Sequence, residues 1–301
     1  MNRLLLNKLN YYQFDNNKFD IRISGNKKIN FSNKYKFIKN TNDVNIIKLS
    51  WTDKLKDLTN NKIKSSKIIP IDLYPEIYQL EDLEKFNNEV KFYKKPIEGS
   101  NGENITILKK KELIKYIKCD KYFMKQYFIQ QYLVPKTINN RKYDIRMYYF
   151  IIKDNNKISS YMSLNGKIRL CSEKYSDGGE ITNSSKITNI NNLDELQGSL
   201  LNLLPLERED IYNTLISFDK HFKDKLHNNC ENFQNLYGID LLRDINDKVW
   251  ILEINGNPNW FIKQDSPKTR EIKTEIFDEI LKILSNYFYK TSYHLENWKC
   301  L

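Results

Sequence analysis

Cysteine and histidine are scarce. The 301 residues hold four cysteines (Cys119, Cys171, Cys230, Cys300) and three histidines (His221, His227, His294), and no two cysteines stand in a C-x-x-C spacing. That argues against a zinc site, which needs clustered thiolates and imidazoles. Scattered thiols fit a reducing, cytoplasmic compartment better than a disulfide framework. No stretch approaches the roughly 18 apolar residues of a membrane helix. The opening M-N-R-L-L-L-N-K-L-N has too short an apolar run for a signal peptide. Neither G-x-x-x-x-G-K-[ST] nor a G-x-G-x-x-G before a helix occurs, so no P-loop or dinucleotide fingerprint is expected.

What is present suits a packed protein. Hydrophobic residues make up 40% and aromatics 13%, enough for a core despite a mean hydropathy of -0.67. Lys and Arg outnumber Asp and Glu by 49 to 38, a net charge of +11. The excess is spread along the chain and favours an anionic partner: nucleic acid, an anionic membrane or an acidic protein segment.

The most informative dozen residues are V-W-I-L-E-I-N-G-N-P-N-W, Val249 to Trp260. Val249 to Leu252 read as a strand buried on both faces. Glu253 and Asn255 follow, their oxygens on one side at strand period two. A carboxylate and an amide oxygen at the end of a buried strand suit a hard cation such as Mg2+. The preceding Y-G-I-D-L-L-R-D, Tyr237 to Asp244, reads as a second strand. A two-residue loop at Asn246-Asp247 would place Asp240 opposite Glu253, within about 5.5 Å at Cβ, and a slightly longer loop would make them diagonal neighbours. Two carboxylates so close repel unless a cation lies between them.

Elsewhere the pattern predicts three parts: a small N-terminal domain over 1–69, a central unit over 70–135 and a C-terminal unit over 136–301. Strand-like pieces stand at Phe19 to Ser24 and Val44 to Leu49, with Ile68-Ile69-Pro70 as linker or edge strand. A helix is expected over Tyr78 to Val90, strands over Lys91 to Pro96 and Ile105 to Leu108, and a short helix over Lys110 to Lys118. Phe123 to Val134 and Tyr143 to Lys153 read as strands, and the basic, aromatic stretch Lys121 to Tyr127 as strand rather than a nucleic-acid surface. Asn165-Gly166 signals the turn of a hairpin over Ile158 to Leu170. Helices are expected over Glu207 to Cys230, with Ile211, Leu215, Phe218 and Phe222 inward, and from Lys268 to Tyr289.

Three segments carry further chemistry. Lys95 ends a strand before G-S-N-G, where Gly99 and Gly102 can turn backbone N–H groups toward an anion. Gln130, Gln131, Tyr132 and Leu133 follow an apolar strand, where backbone groups can meet an adenine edge. In R-K-Y-D-I-R, Arg141 to Arg146, the alternation puts Lys142, Asp144 and Arg146 on one strand face. Two cations around a carboxylate suit phosphoryl oxygens, and Arg169 can complete the wall.

Together these elements resemble an ATP-grasp ligase, within it the tubulin tyrosine ligase family. The resemblance covers about Lys94 to Trp260. It rests on K-P with its glycine loop, Q-Q-Y-L at 130–133, R-K-Y-D-I-R, I-R-L-C-S-E-K-Y at 168–175, I-T-N at 181–183 and the block at 237–255, in the family's order. It implies an α/β (α+β) ATP-grasp fold, rich in antiparallel strands, with ATP between two subdomains. It also implies roles. Lys95 would meet the phosphates. Gln130, Gln131, Tyr132 and Leu133 would hold adenine. Lys142, Asp144, Thr182 and Asn183 would line the nucleotide and acceptor side. Arg146 and Arg169 would stabilise the transferred phosphoryl group, and Asp240, Glu253 and Asn255 would hold Mg2+. Gln131 replaces the usual hinge lysine, and Glu180 a frequent histidine.

The implied activity is ATP- and Mg2+-dependent ligation of a free amino acid to the carboxylate of an acidic protein tail, such as that of tubulin. Two alternatives are an ATP-grasp inositol phosphate kinase, which shares the carboxylate-x-Asn-x-x-Pro pattern, and a non-catalytic microtubule or RNA binder. R-K-Y-D-I-R and I-T-N favour the ligase over the kinase. The intact Asp240, Glu253 and Asn255 set argues against the binder.

Overall fold

A computed structural model describes residues 19–23, 45–49, 61–98, 104–120, 122–154, 156–171, 174–175, 197–199, 207–227, 233–256, 267–289 and 292–301. The strands in chain order are β1 (Phe19–Ile23), β2 (Asn45–Leu49), β3 (Ile77–Tyr78), β4 (Lys91–Pro96), β5 (Thr106–Lys109), β6 (Tyr127–Gln131), β7 (Thr137–Ile138), β8 (Arg141–Asp154), β9 (Lys157–Ser163), β10 (Lys167–Leu170), β11 (Gln197–Ser199), β12 (Phe233–Arg243), β13 (Val249–Asn255) and β14 (Trp298–Cys300). Among the described residues they form a ten-stranded and a four-stranded sheet.

β8 and β12 are the axis of the large sheet, antiparallel from Phe233–Lys153 to Leu241–Ile145. The run Met147 to Ile152 is apolar at both periods because both sheet faces are covered. Tyr143, Ile145, Met147, Tyr149 and Ile151 pack with Ile211, Leu215, Phe218 and Phe222 of the Arg208–His227 helix. Tyr148, Phe150 and Ile152 pack with Ile272, Ile276, Ile280 and Leu284 of the Pro267–Tyr289 helix. Each such side chain, fully buried, contributes roughly 1.5–3 kcal/mol. Both helical stripes follow the expected spacing; Phe277 and Leu281 lie outside the residues whose side chains are described.

The small sheet runs β3-β6-β4-β5. Phe92, Leu108 and Ile129 bury one face against Leu113 of the Lys110–Cys119 helix and Phe123 of the Phe123–Gln126 helix. Alternation then turns Tyr93, Lys95 and Gln130 to the other face.

Several local expectations change. Tyr78 to Val90 is no α-helix: Tyr78 pairs with Ile129 and a 3-10 helix covers Glu81–Lys85. The strand expected from Phe123 opens as a helical turn, Phe123–Gln126, before β6. Asn165-Gly166 does not turn a hairpin. β9 and β10 both pair antiparallel with β8, at Tyr149–Met162 and Arg146–Lys167, so Leu164 to Gly166 form a bulge in one long strand path. A Cβ on Gly166 would lie 2.4 Å from Met147 Sδ and 2.9 Å from the Arg146 carbonyl oxygen, so glycine permits the close approach. Ile68 and Ile69, expected in a linker or edge strand, are buried in the main core beside Tyr74. β1 and β2 pair in parallel, and Leu49 pairs with Gln234 of β12.

Candidate active site

β12 and β13 meet as the sequence suggests, by a different route. The connection is longer than two residues: Asp244 N–H donates to Lys248 O at 3.0 Å, and Asp247 adopts φ 67°. Arg243 therefore pairs with Val249. A bulge between Asp240 and Leu241 then absorbs Leu252, and Asp240 ends opposite Glu253. The bulge decides where Glu253 points. Ile251 and Ile254 both face the main core, whereas strict alternation from Ile251 would send the Glu253 carboxylate there too.

Asp240 is the centre of a buried ionic row. Arg146, its partner across β8, donates Nε to Oδ1 and Nη2 to Oδ2, the latter at 2.8 Å. Arg169 of β10 donates Nη2 to Oδ1 of Asp240 at 3.0 Å and Nε to Oδ1 of Asp144 at 2.5 Å. Asn255 Nδ2 donates to Oδ2 of Asp240 at 3.1 Å. Burial favours the neutral acid, but the Arg146 and Arg169 charges hold Asp240 below its ordinary range. Burial, then the adjacent Asp240, push the Glu253 carboxyl upward, opposed by Lys62, Arg146 and Lys95. A buried carboxylate of this kind attracts a cation.

The small sheet supplies the opposing wall. Lys95 lies near Lys142 and Glu253, and its Nζ sits 4.9 Å from the centre of the Tyr93 ring. Burial, reinforced by Lys142, lowers the Lys95 ammonium to about 7. Lys62, at the start of the Lys62–Ser66 helix, reaches the same cluster, where burial lowers its pKa and Glu253 opposes the shift. Sequence reasoning missed Lys62. The available signal was Asn61, a cap residue whose Oδ1 accepts from Ile63 and Lys64 N–H at 3.1 and 3.0 Å.

The segment joining the sheets is Gln130 to Lys136. Gln130 is buried, donating Nε2 to Pro75 O at 3.1 Å while its Oε1 has no partner among the described residues. Gln131 N–H donates to Glu76 O at 2.8 Å. The Tyr132 ring lies 5.2 Å from that of Tyr93, and its hydroxyl meets that of Tyr175. Leu133 packs with Leu242 and Trp250. Downstream, Ile245 N–H donates to Val134 O at 2.9 Å and Lys136 N–H to Arg243 O at 2.8 Å. The structure thus brings Lys95, Lys142, Asp144, Arg146, Arg169, Asp240, Glu253 and Asn255 into one cluster, with Gln130 to Leu133 at its border. Thr182, Asn183, Gly99 and Gly102 lie outside the described residues.

The donor set fits a divalent ion. Among the described residues no group of three His, Cys, Asp or Glu forms, so an ion here would take two paired carboxylates and an amide oxygen, a hard-cation set.

The YheC/D like ATP-grasp family matches residues 77–285, from β3 into the Pro267–Tyr289 helix. The chain belongs to this family. Its two sheets are those of an α+β ATP-grasp fold, and the matched span contains every clustered residue except Lys62. Curated relatives are tubulin-modifying proteins. This ATP-grasp chain is 23% identical over 249 residues to probable tubulin polyglutamylase ttll-9 of Caenorhabditis elegans, across 74% of this chain and 58% of that protein. It is 25% identical over 262 residues to probable alpha-tubulin polyglutamylase Ttll1 of Tetrahymena thermophila, across 74% and 62%. It is 26% identical over 222 residues to tubulin glycylase 3D of Tetrahymena thermophila, across 64% and 21%. The chain thus spans about three fifths of the length of the first two.

Proposed function

We propose that this ATP-grasp chain is an ATP-dependent ligase joining the α-amine of an amino acid to a carboxylate of an acidic protein tail. An acceptor carboxylate oxygen attacks the γ-phosphorus of ATP, the bond to the β,γ-bridging oxygen breaks, and ADP leaves with the electron pair. The amine nitrogen then attacks the acyl carbon, expels phosphate and loses a proton, leaving an amide. Lys95 and Lys142 neutralise phosphate oxygens, and Gln130 to Leu133 border adenine. Arg146 and Arg169 face the transferred phosphoryl group, with Asp144 fixing Arg169. Thr182 and Asn183 complete the acceptor side. Asp240, Glu253 and the Asn255 carbonyl oxygen would hold Mg2+, which when bound neutralises charge on the phosphates.

One observation carries this reading: Asp240 and Glu253 pair across β12 and β13, with two arginines one and two strands away. The relatives' names point to tubulin as acceptor, and a net charge of +11 suits an acidic tail in the cytoplasm. The test is mass spectrometry of acidic tail peptides, tubulin's among them, incubated with the protein, ATP and mixed amino acids. Mass increments equal to amino-acid residues are expected. ADP release driven by inositol phosphates, with no peptide change, would replace the ligase by a kinase.

A further inference from the structure

Asp240 has no vacant lone pair. An ionised carboxylate offers about four acceptor directions, and four donors occupy them: Arg146 Nε and Arg169 Nη2 on Oδ1, Arg146 Nη2 and Asn255 Nδ2 on Oδ2. The Glu253 carboxylate, directly opposite, accepts no side-chain hydrogen bond from a described residue, although Lys62, Arg146 and Lys95 lie near it. A cation entering between them meets one open carboxylate and one already saturated. It takes Asp240 only by displacing a donor.

The two arginines are held differently. Both side-chain hydrogen bonds of Arg146 end on Asp240. Arg169 divides its fork, with Nη2 on Asp240 and Nε on Asp144. Asp144 and Arg169 face each other across β8 and β10, so this second bond does not depend on Asp240.

We propose that Arg146 is an internal counter-ion for Asp240 and is handed over when a divalent cation binds. The cation takes the Asp240 oxygens and releases the Arg146 guanidinium toward the phosphoryl oxygens, while Asp144 keeps Arg169 in place. Divalent-cation binding and phosphoryl binding are then positively coupled, and each strengthens the other equally. No covalent bond changes in this step. The inference rests on the proposed cation set and adds an order of events to it.

The test follows arginine Nε–H signals by NMR during Mg2+ titration of the full chain, assigned with Arg146→Lys and Arg169→Lys. Without Mg2+, both Nε–H groups should exchange slowly with water. With Mg2+, Arg146 should lose protection and Arg169 retain it. Bound Mg2+ that leaves Arg146 protected, or frees both arginines, overturns the proposal. Mn2+ titration read by electron paramagnetic resonance gives a second measure. Arg146→Met, which clears two directions on Asp240, should bind Mn2+ about tenfold more tightly than wild type, since a hydrogen bond to a charged group is worth at least that factor. Adding Asp240→Asn should remove the gain. Equal or weaker Mn2+ binding by a folded Arg146→Met protein overturns the proposal, also where wild type binds Mg2+ too weakly to detect. Amino-acid ligation by a protein whose Arg146 stays on Asp240 would sink this inference alone. Release of Arg146 by Mg2+ without ATP consumption would sink only the ligase reading.

Discussion

The backbone N–H of Lys62 donates to the carbonyl oxygen of Ile97 at 3.2 Å, two residues beyond Lys95. This bond joins the Lys62–Ser66 helix to the end of β4, and the Lys62 side chain shares the Glu253 cluster with Lys95. Lys62→Met should weaken binding of a non-hydrolysable ATP analogue by about tenfold, the value of one charge-assisted contact. The thermal midpoint should change little, because the backbone bond remains and a partly desolvated charge is removed. Calorimetric titration and thermal unfolding check both halves. Unchanged affinity would take Lys62 out of the nucleotide site.

Lys95 sets a pH dependence. In the free protein burial lowers its pKa to about 7, so at pH 8 it is mostly neutral. On the proposed binding mode, phosphate oxygens beside it would favour the ammonium and raise the pKa in the complex. Binding at pH 8 therefore takes up a proton. Nucleotide affinity should be highest below pH 7 and fall as pH rises through the interval between the free and bound pKa values, by at most about tenfold per pH unit. Calorimetry in two buffers of different ionisation enthalpy reads the proton uptake. Lys95→Arg should abolish it.

Glu253→Gln preserves shape and removes charge at the residue opposite Asp240. Turnover should fall by roughly 10²-fold or more, as when other electrostatic stabilisers are lost. Folding should be kept, since burial already disfavours the Glu253 charge. Near-normal ADP release from this variant would contradict its place in the cation set.

Gly166→Ala would push a methyl group against Met147 Sδ and the Arg146 carbonyl. The thioether can move, but the backbone oxygen cannot without shifting β8. A destabilisation of about 1–3 kcal/mol is expected, as for other overpacked sites. Activity should fall further than stability alone explains, because the displaced strand carries Arg146. Urea unfolding and a parallel turnover assay separate the two effects.

Asp244 holds the connection between β12 and β13. Its Oδ1 accepts from Asn246 and Lys248 N–H at 2.9 and 3.0 Å, and its Oδ2 from Trp250 Nε1 at 2.8 Å. Asp244→Ala should lower stability by about 2–4 kcal/mol through lost charge-assisted bonds and an orphaned indole N–H. Tryptophan fluorescence should change with it. A variant as stable as wild type would mean the Asp240–Glu253 register is set elsewhere.

Much of the site could be read because strand alternation is a strong constraint. Lys142, Asp144 and Arg146 share a face because β8 runs unbroken, and Ile211 to Phe222 are buried because helical spacing left one apolar stripe. Asp240 and Glu253 were matched through two compensating differences, a longer connection and a bulge at Leu252. Neither changes the hydrophobic pattern, so neither was visible. Asn165-Gly166 carries the chemistry of a hairpin turn, but the strand path continues because β8 offers it an edge on both sides of the bulge. Phe123 to Gln126 had an ambiguous apolar pattern, resolved only by the Leu113 packing of Phe123. Lys62 was hidden because a helix of five residues leaves little periodicity to detect. The charged groups it joins, Lys95 and Glu253, lie far from it in sequence.

The backbone ties of Val134 and Lys136 to Ile245 and Arg243 restrict how the molecule can open. They fasten the downstream part of the connecting segment to the rigid platform that bears the two carboxylates. The four-stranded sheet is anchored on its other side as well, where Ile77 of β3 packs against the main core. Lys95 belongs to the four-stranded sheet and Glu253 to the ten-stranded one, so their separation would register any change in how the two sheets meet.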